Sequence, residues 1–154
     1  MREERIEIRL QRGRIKELTA DERRGMDVAL AAAEKAYAPY SGFHVGAAVE
    51  LADGRLVPGS NQENAAYPSG LCAERTALFT AGAQYPDVAV RALYVVAMKD
   101  GVVQDKISPC GGCRQVISEV EHRYGQSIRI YLCGRTEYCC VESAEALLPL
   151  SFGS

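Results

Sequence analysis

The hydrophobic pattern of this chain switches repeatedly between a helical and a strand-like period, and no other feature restricts its fold as strongly. Thr19 and Glu22 form a capping box. Met26, Ala29, Leu30, Ala33 and Tyr37 then recur at helical spacing, until Pro39 and the Ser41-Gly42 pair end the run. Strands are expected over 43–51 and 56–61, joined at Asp53-Gly54, a strong hairpin signal. A helix follows from near Leu71 to near Gly82, then a strand over 92–98. Ser108 and Pro109 read as the N-cap and first residue of the next helix, which Gly125 closes. Strands over 128–133 and 136–141 and a brief helix over 143–147 complete the order α-β-β-α-β-α-β-β. That order predicts an α/β domain with helices covering a sheet, an antiparallel first strand pair, and later crossovers that are parallel and right-handed. Residues 1–18 read as an N-terminal extension in which alternating Ile6, Ile8 and Leu10 predict a short strand, leaving 19–154 as the main domain.

Composition narrows the class. At 154 residues, with 47% hydrophobic and 25% charged residues, the chain is long enough for one real core and too apolar for a disordered protein. A net charge of −2 lacks the basic excess of a polyanion binder, so no nucleic-acid partner is expected. No run approaches the roughly 18 apolar residues of a membrane helix, and MREERIEIRLQRGR has no apolar signal core, so a cytoplasmic location is expected. In that reducing compartment, six cysteines point to metal ligation or catalysis more than to disulfides. With only His44 and His122 available, a zinc site would have to be rich in thiolates.

Cys110 and Cys113 lie in PCGGC at a helix start, with their sulfurs on one side of the first turn. Cys72 also opens a helix, followed at once by Ala73, Glu74 and Arg75. Helix N-termini favour negative charge and lower thiol pKa values, so two such ends that converge can gather three thiolates around one zinc ion. Three ligands leave the fourth tetrahedral position open to water, as in catalytic zinc sites. Arg75 and the helix dipoles would offset the thiolate charge, and Glu74 would stand beside the water as general acid/base. Other readings compete. A lone CxxC fits a redox pair, which leaves Glu74 unexplained. A structural zinc site could recruit Cys133 and one of Cys139 or Cys140. However, Cys133 sits among apolar strand neighbours, and adjacent strand residues face opposite ways. His122, in a helix's last turn, and His44 read as structural.

Three blocks, YAPYSGFHVGAAVELADG, NQENAAYPSGLCAERTALF and SPCGGCRQV, together resemble the small homotetrameric, zinc-dependent cytidine deaminases, with similarity running from about residue 31 to 152. The resemblance implies a three-layer α/β/α fold around a five-stranded mixed sheet. It implies Cys72, Cys110 and Cys113 as zinc ligands, Glu74 as proton shuttle and Arg75 as the residue compensating thiolate charge. It also implies Asn61 and Glu63 as ligands of the ribose hydroxyls, Phe43 as a pocket residue, and backbone groups near Ala73 and Ser108 as contacts to the base. Phe152 corresponds to a C-terminal aromatic that reaches a neighbouring subunit's site. The implied reaction is hydrolytic deamination of free cytidine and deoxycytidine, with ammonia released. Another aminopyrimidine such as blasticidin S is the alternative substrate, and a non-catalytic structural zinc module the alternative class. A phosphate near Glu63 would be repelled, which favours a free nucleoside.

Overall fold

Thr19 caps the first helix as expected: its hydroxyl accepts the Glu22 N–H at 3.2 Å, and the Glu22 carboxylate accepts the Thr19 N–H at 3.4 Å. The computed structural model describes residues 1–153. In chain order the elements are β1 (Leu10–Arg14), α1 (Ala20–Ala33), β2 (Phe43–Leu51), β3 (Leu56–Ser60), α2 (Ala73–Gln84), β4 (Val90–Lys99), β5 (Val102–Val103), α3 (Gly111–Tyr124), β6 (Arg129–Cys133) and β7 (Glu137–Val141). The strands form one mixed sheet in the order β1-β7-β6-β4-β2-β3, with β5 paired to β4. The β2–β3 hairpin is antiparallel, and β4 and β6, which flank α3, are parallel.

The alternation of each strand divides the core in two. Ala47, Val49, Leu93, Val95, Ile130 and Leu132 pack under α2 and α3. Ala48, Ala92, Tyr94, Val96, Tyr131 and Cys133 face α1 with Met26 and Ala29. The domain is therefore three-layered, α/β/α. Cys133 is fully buried. Cys140 is buried on the α1 side, while Cys139 packs against the α2/α3 side, as strand alternation requires.

Three expectations are corrected. Among the described residues the sheet has seven strands where five were expected. The expected five form its body, and the additions are the two-residue β5 and the N-terminal β1, which pairs antiparallel with β7. The N-terminal strand also lies later than the Ile6–Ile8–Leu10 alternation placed it, because β7 ends at Val141, the partner of Leu10, and offers nothing to earlier residues. The third helix begins at Gly111 with Cys110 as its N-cap, and not at Pro109. Arg114 accounts for the shift: its guanidinium donates to the Ser108 hydroxyl (2.7 Å) and to the carbonyls of Pro109 and Leu147 (both 2.8 Å), holding 108–109 outside the helix.

Two strand glycines let the helical layers approach the sheet closely. A Cβ on Gly46 would stand 1.8 Å from the Ala29 carbonyl oxygen and 2.4 Å from the Ala33 nitrogen. Both are backbone atoms of α1, so no side chain can move aside. Gly46→Ala is expected to destabilise the fold by about 3 kcal/mol, a fall in Tm of roughly 6–12 °C. Thermal unfolding measures it, and an unchanged Tm would show that α1 can lift from the sheet at no cost.

Candidate metal centre

Gly59 does for α2 what Gly46 does for α1. A Cβ there would lie 2.4 Å from the Ala77 nitrogen and 2.7 Å from the Ala73 oxygen, so only glycine lets the first turn of α2 sit on β3. That contact fixes the N-terminus of α2 beside the N-terminus of α3. Cys72 is the N-cap of α2 and Cys110 of α3, and neither side chain makes a cap hydrogen bond. Cys113 lies one turn inside α3, fully buried.

The three sulfurs lie within 4.8 Å of one another, and no other metal-ligating side chain among the described residues joins them. The Sγ atoms of Cys72 and Cys110 are 3.6 Å apart. Two sulfurs bound to one tetrahedral zinc, each about 2.3 Å from it, are separated by about 3.8 Å. The donor set therefore fits zinc in spacing and in chemistry, and it supplies three ligands of a possible four. Arg75 supports the cluster, its Nη2 donating to the Cys72 Sγ at 3.3 Å, while its buried Nε has no hydrogen-bond partner.

The electrostatics follow from this packing. The Cys113 thiol donates to Cys72 and stabilises its thiolate, and Arg75 and Cys110 add to that, so against burial the Cys72 pKa falls to about 5. Cys113 moves the opposite way, raised by that same hydrogen bond and by its own burial. Glu74 is only 5% exposed. Burial, reinforced by the Cys72 thiolate, raises its pKa above the usual carboxylate value. A carboxyl in that environment holds a proton more readily than a solvated one, as a general acid/base requires.

A cleft of about 1040 Å³ opens over the cluster, near the upper end for small-molecule sites. Val45, Val95 and Ala97 give it apolar walls, and Cys72, Ala73, Glu74, Arg75, Ser108 and Cys110 line it from the two helix ends. Phe43, Asn61 and Glu63 line it too. The Asn61 amide is already committed to the backbone of β2, accepting from the Val45 N–H and donating to the Phe43 carbonyl, both at 2.8 Å. Glu63 Oε1 accepts the N–H groups of Tyr40 (3.0 Å) and Ser41 (3.1 Å). The Ser41 hydroxyl, followed by these amides, lowers its pKa. Phe152 does not line this chain's cleft: it is 88% exposed, and its carbonyl accepts from Gln115 Nε2 at 3.1 Å.

Sequence reasoning missed Tyr40 and Tyr67, which line the cleft, and Arg114, which shapes the loop before Cys110. Exposed tyrosines in a loop give no local signal. Arg114 did offer one, a cation four residues after an N-cap cysteine and six after Ser108.

A family model described as the cytidine and deoxycytidylate deaminase zinc-binding region matches residues 19–124. A cytidine deaminase of Sporosarcina psychrophila is 51% identical over 88 residues, 57% of this chain and 61% of that one. The cytidine deaminase of Halalkalibacterium halodurans is 44% identical over 92 residues, 60% of this chain and 66% of its own. The match thus spans less than two thirds of these relatives' length. Among solved structures, cytidine deaminase from Burkholderia pseudomallei shares 38% identity at a TM-score of 0.69, covering 88% of this chain and all of that one. The Mycobacterium tuberculosis enzyme shares 36% at 0.66, with the same coverage.

Proposed function

This chain belongs to the cytidine and deoxycytidylate deaminase family, and from that premise we propose that it hydrolyses free cytidine and deoxycytidine to uridine and deoxyuridine, releasing ammonia. Three cysteine sulfurs within 4.8 Å of one another, beside a buried carboxyl at the floor of one cleft, carry this reading. Cys72, Cys110 and Cys113 hold the zinc ion. When bound, zinc supplies Lewis acidity that makes water a nucleophile near neutral pH. Arg75 balances the surplus negative charge of three thiolates through its contact with Cys72.

Glu74 moves the protons. It takes one proton from the attacking water as the C4–O bond forms and delivers it to N3 of the cytosine ring, then takes the proton left on that oxygen and passes it to the departing amine at C4. Water is consumed, the C4–N bond breaks, and the carboxyl ends as it began. The apolar walls of Val45, Val95 and Ala97 exclude bulk water from the ring. Phe43 and the backbone at Ala73 and Ser108 orient the base. Glu63 and Asn61 meet the ribose, and the Asn61 cross-link to β2 also holds Phe43 in place. A 5′-phosphate or polynucleotide would face the Glu63 carboxylate on a chain of net charge −2, so the substrate is the free nucleoside. Residues 19–154 are the catalytic domain and 1–18 an appended strand.

The protein acts as a cytoplasmic homotetramer with shared sites. Phe152, exposed in the single chain, completes the cleft of a neighbouring subunit and stacks on the pyrimidine. No helix among the described residues is long and apolar enough to cross a membrane.

Metal analysis paired with an ammonia-release assay tests the reading. About one zinc per chain and turnover of cytidine and deoxycytidine are expected, with cytidine 5′-monophosphate and blasticidin S much poorer. Faster turnover of blasticidin S would reassign the substrate. A cobalt-substituted protein with four sulfur ligands would make the metal structural.

A further inference from the structure

Residues 6–10 carry an apolar alternation of which the sheet takes up only Leu10 and the cleft nothing. Ile6, Ile8 and Leu10 are 57%, 50% and 48% exposed. The alternation leads into β1, which borders β7 on one side and, among the described residues, has no strand on the other. The direction of its free backbone groups follows from Ile15, whose N–H donates to the Thr136 carbonyl at 2.8 Å. That pair continues the Arg14↔Glu137 register, and in an antiparallel ladder opposed residues exchange hydrogen bonds only at every second position. Gln11, Gly13 and Ile15 therefore spend their N–H and C=O groups on β7. Leu10 and Arg12 turn theirs outward, and an extended chain before Leu10 would carry the same series on to Ile8 and Ile6.

We propose that this free edge pairs antiparallel with the same edge of a second copy of the chain, about a two-fold axis at Ile8. The even-numbered residues offer the hydrogen bonds, so the axis must fall on a residue and not between two. Axes at Glu7 or Arg9 set like charges against each other, Glu7 on Glu7 or Arg9 on Arg9. An axis at Ile6 opposes Ile8 with Glu4, and one at Leu10 opposes it with Arg12. With the axis at Ile8, Ile8 meets its own copy and Ile6 meets Leu10 twice. On the other face Glu7 meets Arg9 twice, and at the flanks Glu4 meets Arg12. Arg2 against Arg14, at the ribbon's ends, is the one like-charge opposition. Cross-strand apolar and opposite-charge pairs are the unit of sheet stabilisation. A two-fold makes each pair count twice. Residues 1–14 contain no proline or lysine, devices that commonly blunt an exposed edge. The partner is thus another copy of this chain, and the N-terminal extension is an assembly element. This holds whether or not the cleft deaminates cytidine.

Residue-resolved amide hydrogen exchange on the full-length protein tests the pairing. In concentrated solution the Ile6 and Ile8 amides are expected to exchange at least tenfold slower than those of Glu7 and Arg9, and to lose that protection on dilution. E7R places two arginine pairs across the axis, and R9E two glutamate pairs. Either single variant should weaken self-association by about tenfold or more. The double variant E7R/R9E restores both ion pairs and should recover the protection. Residues 7 and 9 lie outside the core and the cleft, so zinc content and Tm serve as controls for folding. Equal exchange at Ile8 and Glu7 in the parent protein overturns the proposal. So does protection that survives dilution or E7R unchanged, or that the double variant fails to restore.

Discussion

The expected result for Glu74→Gln is a protein that folds, keeps its zinc, and loses turnover by about 10²–10⁴-fold or more. Glutamine matches glutamate in shape, so the 5%-exposed side chain leaves no cavity. The three sulfurs are untouched, and metal content should stay near one per chain. What disappears is the ability to accept and return a proton, needed by the water, by N3 and by the leaving amine. A single shuttle serving several transfers puts the loss at or beyond the top of that range. The variant should also be no less stable than the parent, and the sign follows from the pKa. Burial raises the Glu74 pKa in the folded protein above its unfolded value. The folded state then binds the proton more tightly than the unfolded one. That contribution is full below the ordinary carboxylate pKa and is lost as pH rises through the raised one. Glutamine has no such loss. With chelator present, the variant's Tm should exceed the parent's near neutral pH, and the gap should close in acid. Ammonia release near the parental rate would remove Glu74 from the role assigned to it.

How much of this was legible beforehand differs by element. The Thr19–Glu22 box, the Asp53-Gly54 hairpin and Gly125 are local devices, and each appears where the residues placed it. Gly125 adopts the left-handed conformation, with φ of 59°, that closes a helix. The readings that failed depended on partners outside the local pattern that suggested them. Ser108-Pro109 looks like a helix start until Arg114 takes the serine hydroxyl. The alternation at residues 6–10 looks like a strand, but only Leu10 finds β7 opposite it. The cluster was legible because both its halves sit at helix starts. Spacing alone could not show that Gly59, 13 residues before Cys72, lets those starts meet. Asn61 and Glu63 were read for what they could offer a ligand. Their hydrogen bonds to the backbone of Phe43, Val45, Tyr40 and Ser41 depend on the folded loop, which no residue pattern announces.

Cys113→Ala has the second largest expected effect, and it falls on the metal. Cys113 is fully buried and is the one of the three proposed ligands placed inside a helix turn, where its backbone cannot shift. If roughly 10–16 kcal/mol of zinc affinity is shared among the ligands of a site, one thiolate contributes about 3–4 kcal/mol, and its removal should weaken binding by about 10²–10³-fold. Zinc would then be lost to a modest competitor and turnover would fall with it. Any buried cysteine leaves a void when replaced by alanine, so reduced stability alone identifies nothing. Cys133→Ala is the control: Cys133 is equally buried, but on the α1 side of the sheet and outside the sulfur cluster. Both variants should lose a similar increment of core stability in the presence of chelator. Added zinc should then raise the Tm of Cys133→Ala by the linkage any native-state ligand provides, and stabilise Cys113→Ala by about 3–4 kcal/mol less. Equal zinc retention by the two variants would move the metal away from Cys113.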